Sequence, residues 1–226
     1  MNPVFVLHQR KYRDTSLLVE VFSRNEGRYP LIVRGARSSK KRTAALMQPF
    51  QPLLVEVHGH GELRTAGSVE GAGATFVLEG DNLMLGLYVN ELLYRSVGRF
   101  ESLPQLFDGY LRLLGVLSIT HEVRLALREF ELLLLAELGY GVVFDYDAGK
   151  GEPVREEAQY RYVVQDGFHE CQPGETGIAG SDLLAIAEGG LQDEGERIVR
   201  QVVRQSLTPV LGGKPLKSRA LFERST

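Results

Sequence analysis

Along the first 80 residues, apolar side chains return at every second position, the period of a strand. Val4–Arg10 is an extended apolar run. Ser16–Phe22 alternates, with Leu17, Val19 and Val21 on one face and Leu18, Glu20 and Phe22 on the other. Asn25-Glu26-Gly27 has the residues of a tight turn, and Tyr29–Arg34 resumes the extended pattern. Pro30 has no N–H to give a ladder, which suits an edge. A polar, basic stretch follows over Gly35–Thr43. Thr43–Met47 fits one helical turn, stopped by Pro49. Pro52–Val57 and Glu62–Glu70 are two further strands, joined around Gly59 and Gly61. Five strands with a long excursion between the third and fourth match a five-stranded OB-type barrel; a small SH3-like barrel fits nearly as well.

From residue 81 the period becomes helical. Asn82–Phe100 is apolar on most faces, the signature of a buried helix. Pro104–Leu117 repeats Leu106, Phe107, Tyr110, Leu111, Leu114 and Leu117 at three- and four-residue spacing. Thr120–Leu138 follows, with Thr120 as its expected N-cap and Gly139 as its stop. Ser181 is placed to cap a short helix that ends at Gly189-Gly190. Glu194–Leu207 presents Ile198, Val199, Val202, Val203 and Leu207 on one face, before Pro209 and Gly212-Gly213. Between these helices, Asp145–Gly180 is polar and glycine-rich, and Tyr160–Val164 with Phe168–Cys171 reads as a β-hairpin. The fold class is α+β: a barrel domain over residues 1–80, then a helical domain over 81–226 with a small hairpin insertion.

At 226 residues, with 43% apolar and 24% charged side chains, the chain has the composition of a globular protein. Nothing in it reads as a signal peptide or a membrane span. A single cysteine, Cys171, excludes an internal disulfide framework and a thiolate zinc site, and fits a reducing cytoplasm. The net charge of −3 conceals a division. Residues 1–80 hold 11 Lys/Arg against 7 Asp/Glu, residues 81–192 hold 8 against 18, and residues 193–226 hold 7 against 4. A basic surface for an anionic partner beside an acidic body is the expectation.

The sharpest local feature is Arg34-Gly-Ala-Arg37-Ser-Ser-Lys40-Lys41-Arg42, five cations in nine positions with no acid among them. Small residues between the cations let a backbone come close, so the loop suits phosphates. A charge run of this kind is otherwise a solvated loop. Arg10, Lys11 and Arg13 lie on the neighbouring strand end and extend the candidate surface. Tyr12 and Phe22 are candidate stacking rings, Phe22 equally a core residue. A second cationic cluster, Lys214, Lys217 and Arg219, sits in Gly212-Gly-Lys-Pro-Leu-Lys-Ser-Arg219. It lacks the spacing of a nucleotide-binding P-loop. His58 and His60 form an H-x-H pair better read as a strand-end turn than as metal ligands. No catalytic triad, nucleophile elbow or HExxH is present. Glu122, Glu129, Glu131 and Glu137 read as a solvated helix face. The residues thus point to a non-enzymatic binding protein without cofactor, the rival reading being an interaction scaffold whose basic loop binds nothing.

Several stretches together resemble the RecO family of bacterial recombination mediator proteins, in order and over essentially the whole chain. They are Phe5-Val-Leu-His8, Arg13-Asp-Thr-Ser-Leu17, Gly27-Arg28, Arg34-Gly-Ala-Arg37, Leu46-Met-Gln-Pro-Phe50, Gly61-Glu-Leu63, Leu87-Tyr-Val-Asn-Glu-Leu92, Phe130-Glu-Leu132 and Leu138-Gly-Tyr140. The closing Leu211–Arg219 is most similar to the enterobacterial and pseudomonad branch. The resemblance implies an OB domain, a helical domain, binding of single- and double-stranded DNA, and annealing of complementary strands. It further implies help in loading RecA onto strands coated by the single-stranded DNA-binding protein, with RecR as partner. Many members carry a four-cysteine zinc module after Gly-Tyr. Here that region, about 141–180, reads Asp147-Ala-Gly-Lys150 and keeps only Cys171, so no zinc is expected and a mobile hairpin is. The resemblance also implies a grip on the acidic, apolar-tipped tail of the strand-coating protein. Arg124 and Arg128, one turn apart among Leu125, Leu127 and Phe130, are the candidates; the rival reading pairs both with Glu122 or Glu131.

Overall fold

The computed structural model describes residues 1–38, 43–191 and 193–218. The chain forms two compact units, Met1–His121 joined by the segment that starts at Pro215, and Glu122–Lys214.

The first unit is built on a barrel of β1 (Asn2–Tyr12), β2 (Ser16–Ser23), β3 (Gly27–Val33), β4 (Leu53–His58) and β5 (Arg64–Gly71), with helix α1 (Thr43–Leu46) between β3 and β4. The sheet closes in the order β1-β2-β3-β5-β4, β4 returning to β1. That order, with β3 parallel to β5, decides for the OB-type barrel over the SH3-like one. The parallel ladder takes in only Leu31 and Ile32 of β3, so Pro30 stands outside it and costs no bond there. Val4, Val6, Leu17, Val19, Val21, Tyr29 and Leu31 fill the barrel, and Met47, just after α1, packs among them with no exposure.

The other face of β2 is buried as well. Helices α2 (Gly80–Ser96) and α3 (Pro104–Leu117) belong to the same unit as the barrel. Phe5 and Phe22 pack on Phe107 and Tyr110 of α3, with ring centroids 5.2–6.3 Å apart. Phe22 is therefore core and not a stacking platform. Asn90 of α2 accepts a 2.7 Å bond from the Tyr110 hydroxyl, and burial holds that phenol far above its ordinary pKa. Gly27 has φ +65, and a Cβ there would stand 1.7 Å from the Glu101 carbonyl oxygen, so the β2–β3 turn is pressed on the segment after α2.

The second unit holds α4 (Arg124–Glu137), short strands β6 (Tyr146–Asp147), β7 (Glu152–Pro153), β8 (Gln159–Val163), β9 (Gly167–Glu170) and β10 (Ile178–Ala179), then α5 (Gly180–Ala187) and α6 (Glu194–Val210). The expected hairpin is β8–β9, and it is the centre of a five-stranded sheet, β10-β8-β9-β6-β7. Phe144, Val154, Tyr160 and Phe168 form its buried layer.

Two expected caps differ. Helix α4 begins four residues past Thr120, after Val123, with no side-chain cap; the Thr120 carbonyl instead accepts a bond from Asn82. Ser181 lies inside the first turn of α5, which starts after Ala179. Gly139 is left-handed at φ 79 after α4, as a C-terminal stop requires.

Candidate nucleic-acid interface

Strand register gathers the basic residues of the first unit at one rim of the barrel. Lys11 pairs with Leu17, and Leu17 with Val33, so the ends of β1 and β3 lie level on either side of β2. Arg13 occupies the β1–β2 turn, and Arg34 follows β3 directly. The backbone N–H of Arg37 donates to the Thr15 carbonyl at 2.8 Å, and its guanidinium to the Asp14 carbonyl at 3.2 Å. These two bonds fasten the loop after β3 to the β1–β2 turn. Leu17 belongs to the last layer of the barrel core, so Lys11 opposite it projects past that layer into solvent. Arg10, opposite Leu18, points along the outer wall.

Arg10, Lys11, Arg13, Arg34 and Arg37 are all exposed. Among the described residues, no carboxylate lies within ion-pair distance of any of the five. Two of them touch neutral groups: the Arg13 guanidinium sits 5.3 Å from the Tyr12 ring centroid, and Arg37 donates to a carbonyl. Each therefore keeps its charge for an incoming anion, without an ion pair to break first. Lys40, Lys41, Arg42 and Arg219 lie outside the described residues.

Of the second cationic cluster, Lys217 lies in a segment held on α2. The Glu91 carboxylate accepts the backbone N–H groups of Lys217 at 2.9 Å and Ser218 at 2.8 Å, and Arg95 donates to the Pro215 carbonyl at 2.9 Å. Leu216 is buried between these bonds, and the Lys217 side chain is exposed. Burial opposes the Glu91 charge, but the two N–H donors and Arg95 outweigh it and hold its pKa below the usual carboxylate value. Lys214 is exposed at the end of the second unit.

The residues expected to grip a peptide tail are not presented together. Leu127 and Phe130 are 4% and 3% exposed, inside the core. Arg128 is turned inward between Glu131 and Glu196, 3.1 Å from the latter, with 11% of its side chain exposed. Only Arg124 and Leu125 of that group reach the surface. Glu131, expected on a solvated face, is 1% exposed. The sequence offered one sign of this: Glu131 stands three residues after Arg128, on the same face. Glu196 comes from α6 and gave none.

In the region about 141–180, where no zinc is expected, Asp147 caps the turn by accepting the N–H groups of Gly149 and Lys150. Lys150 and Arg155 both donate to Glu170 at 2.6 Å. Those donors, Lys150 first, lower the Glu170 pKa. Among the described residues, no three His, Cys, Asp or Glu side chains are grouped to hold a metal. His58 stands 3.6 Å from Glu56 on an exposed strand end. The cavity of the second unit, about 310 Å³, is lined by Tyr140, Tyr146 and Tyr162, with Asp166 on its wall. Among the described residues its lining holds one carboxylate, Asp166, and no Lys or Arg to meet a phosphate.

The chain thus combines a closed OB-type barrel, five exposed cations on one rim with no ion-pair partner among the described residues, and a helical region with its own small sheet. Comparison with known proteins agrees at the level of family. Residues 2–74 match the family model described as "Recombination protein O N terminal", and residues 78–220 match "Recombination protein O C terminal". The chain is 42% identical over 220 residues to "DNA repair protein RecO" of Vibrio vulnificus (strain CMCP6), covering 96% of this chain and 90% of that one. It is 42% identical over 223 residues to the protein of the same name from Yersinia pestis (strain Pestoides F), covering 97% and 92%. The chain belongs to the recombination protein O (RecO) family.

Proposed function

We propose that this protein is a DNA-repair protein that binds single-stranded DNA on the barrel rim and anneals complementary strands. The observation that carries the reading is the convergence of Arg10, Lys11, Arg13, Arg34 and Arg37 on one rim, all exposed and without a carboxylate partner among the described residues. A phosphate that meets such a cation releases condensed counterions, which is the main source of sequence-independent affinity. Lys40, Lys41 and Arg42 continue the same loop in the sequence. Annealing needs two strands held at once, and Lys214, Lys217 and Arg219 supply a second cationic segment. The reaction breaks no covalent bond, so the protein acts as a mediator and not as an enzyme. Double-stranded DNA meets the same cations.

Family membership supports, as part of this reading, a wider role: loading of RecA onto strands coated by the single-stranded DNA-binding protein, together with RecR, in the cytoplasm at the nucleoid. None of the described helices is long and apolar enough to cross a membrane. For the acidic tail of the coating protein, Arg124 with Leu125 is the accessible part of the site first read from the sequence. The test is annealing of complementary oligonucleotides by the pure protein. Annealing should be fast, salt-sensitive and lost in Arg34→Ala/Arg37→Ala. A protein that neither binds nor anneals DNA at low salt is an interaction scaffold instead.

A further inference from the structure

Beside the rim, the outer wall of the barrel carries an exposed ring backed by a second ring. His8 pairs with Glu20 and Arg10 with Leu18, so His8 and Arg10 stand on the same outer face of β1, two residues apart. Helix α2 crosses that face. Its Asn90 donates to the Val6 carbonyl, and one turn on, the Tyr94 ring lies 5.2 Å from the His8 ring, at 32° to it. The Arg28 guanidinium is 5.4 Å from the same Tyr94 ring. His8 is exposed, so one ring face is backed by Tyr94 and the other meets solvent. An exposed aromatic ring, braced from behind, is a platform on which a base stacks without first ordering a side chain.

The charges around it fit a polyanion. Glu20 is shared by Arg28 at 2.7 Å and Arg99 at 2.8 Å, which leaves that group net positive. Next to Tyr94 on α2, Arg95 neutralises Glu91, and Glu91 holds the backbone of Lys217, whose ammonium is exposed. Among the described residues, Arg10, the Glu20 pair of arginines, Arg95 and Lys217 thus set five cations against two carboxylates. They flank the His8–Tyr94 stack on the barrel and on α2 and reach the C-terminal segment that α2 holds.

We propose that a single strand bound at the rim continues along this wall, with one base stacked on His8, and ends at the segment Pro215–Ser218. The proposal rests on the reading of the rim as the strand-binding site, which it extends. It gives Glu91 a role as positioning residue: it fixes the backbone that presents Lys217 to the strand.

Fluorescence anisotropy with oligothymidylates of graded length, from about 5 to about 30 nucleotides, tests it. The shortest strands, which span the rim alone, should bind wild type and His8→Ala equally. Longer strands should bind wild type more tightly, and His8→Ala should lose about ten-fold of that gain. His8→Phe, which keeps a stacking ring and no charge, should restore it. Equal affinity of wild type and His8→Ala at every length overturns the proposal, as does a His8→Phe variant as weak as His8→Ala. If His8→Ala weakens binding of an oligoglutamate peptide and of no strand, the wall belongs to a protein partner and the proposal fails. Arg34→Ala/Arg37→Ala keeps the two levels apart: full strand binding by that variant removes the rim itself, whatever His8 does.

Discussion

The barrel rim and the ion pairs of the second unit use the same kinds of charged residue in opposite ways. On the barrel rim, Arg10, Lys11, Arg13, Arg34 and Arg37 are exposed, and among the described residues none has a carboxylate partner. In the second unit, Arg128 is held by Glu131 and Glu196, Lys150 and Arg155 share Glu170, and Arg197 lies against Glu194. A cation already paired offers an anion little, because the new contact replaces one that exists. The state of pairing is therefore one requirement of a binding surface, alongside the clustering seen at the rim, and a count of Lys and Arg along the chain does not report it.

The comparison breaks most easily at Arg128. Removing it takes the Arg128 ion pair from Glu131, which is 1% exposed. Arg128→Ala should lower stability by about 3–5 kcal/mol in urea unfolding while refolded protein binds DNA as before. A neutral effect on stability would mean that the pair is not buried in solution. Next in size is the rim. Arg34→Ala/Arg37→Ala should weaken single-strand affinity about ten-fold or more at low salt and leave the melting curve in place.

A smaller effect is expected at Glu91. Its pKa is lowered in the folded state, so its contribution to stability is present above the ordinary carboxylate pKa and is lost as pH falls through the depressed value. Glu91→Gln should therefore lower the hydrogen-exchange protection factors of the Lys217 and Ser218 amides about five- to ten-fold near neutral pH, and acid should lower the same protection factors in wild type. Exchange that ignores both changes would show that the carboxylate does not hold the segment. Smallest of all, Arg197→Ala should alter neither melting nor DNA binding, since its partner Glu194 is exposed and one turn away.

The sequence made the barrel legible because β2 alternates cleanly: Leu17, Val19 and Val21 do face the barrel core. The same strand carries Leu18 and Phe22 on its other face, and that was the available sign of burial on both sides. It took the structure to show that α2 and α3 provide the cover. The interval Pro104–Leu117 is the helix read from its spacing, since proline fixes its start and the apolar repeat its length. Thr120 misled because a good capping residue near a helix is only an option for the chain. Here Asn82 takes up its carbonyl instead. At the rim, adjacency of Arg10–Arg13 to Arg34 followed from consecutive antiparallel strands. The burial of Arg128 did not, because Glu196 lies 68 residues away.

The central claim is that unpaired rim cations, and not basic residues at large, hold the strand. Salt titration of oligothymidylate binding tests it directly, comparing Arg34→Ala/Arg37→Ala with Arg155→Ala/Arg197→Ala. Each lost phosphate contact lowers the log–log salt slope by about 0.7 for single strands. The rim pair should lower it by about 1.4, and the second pair should leave it at the wild-type value. Equal slopes in both double variants would contradict the account.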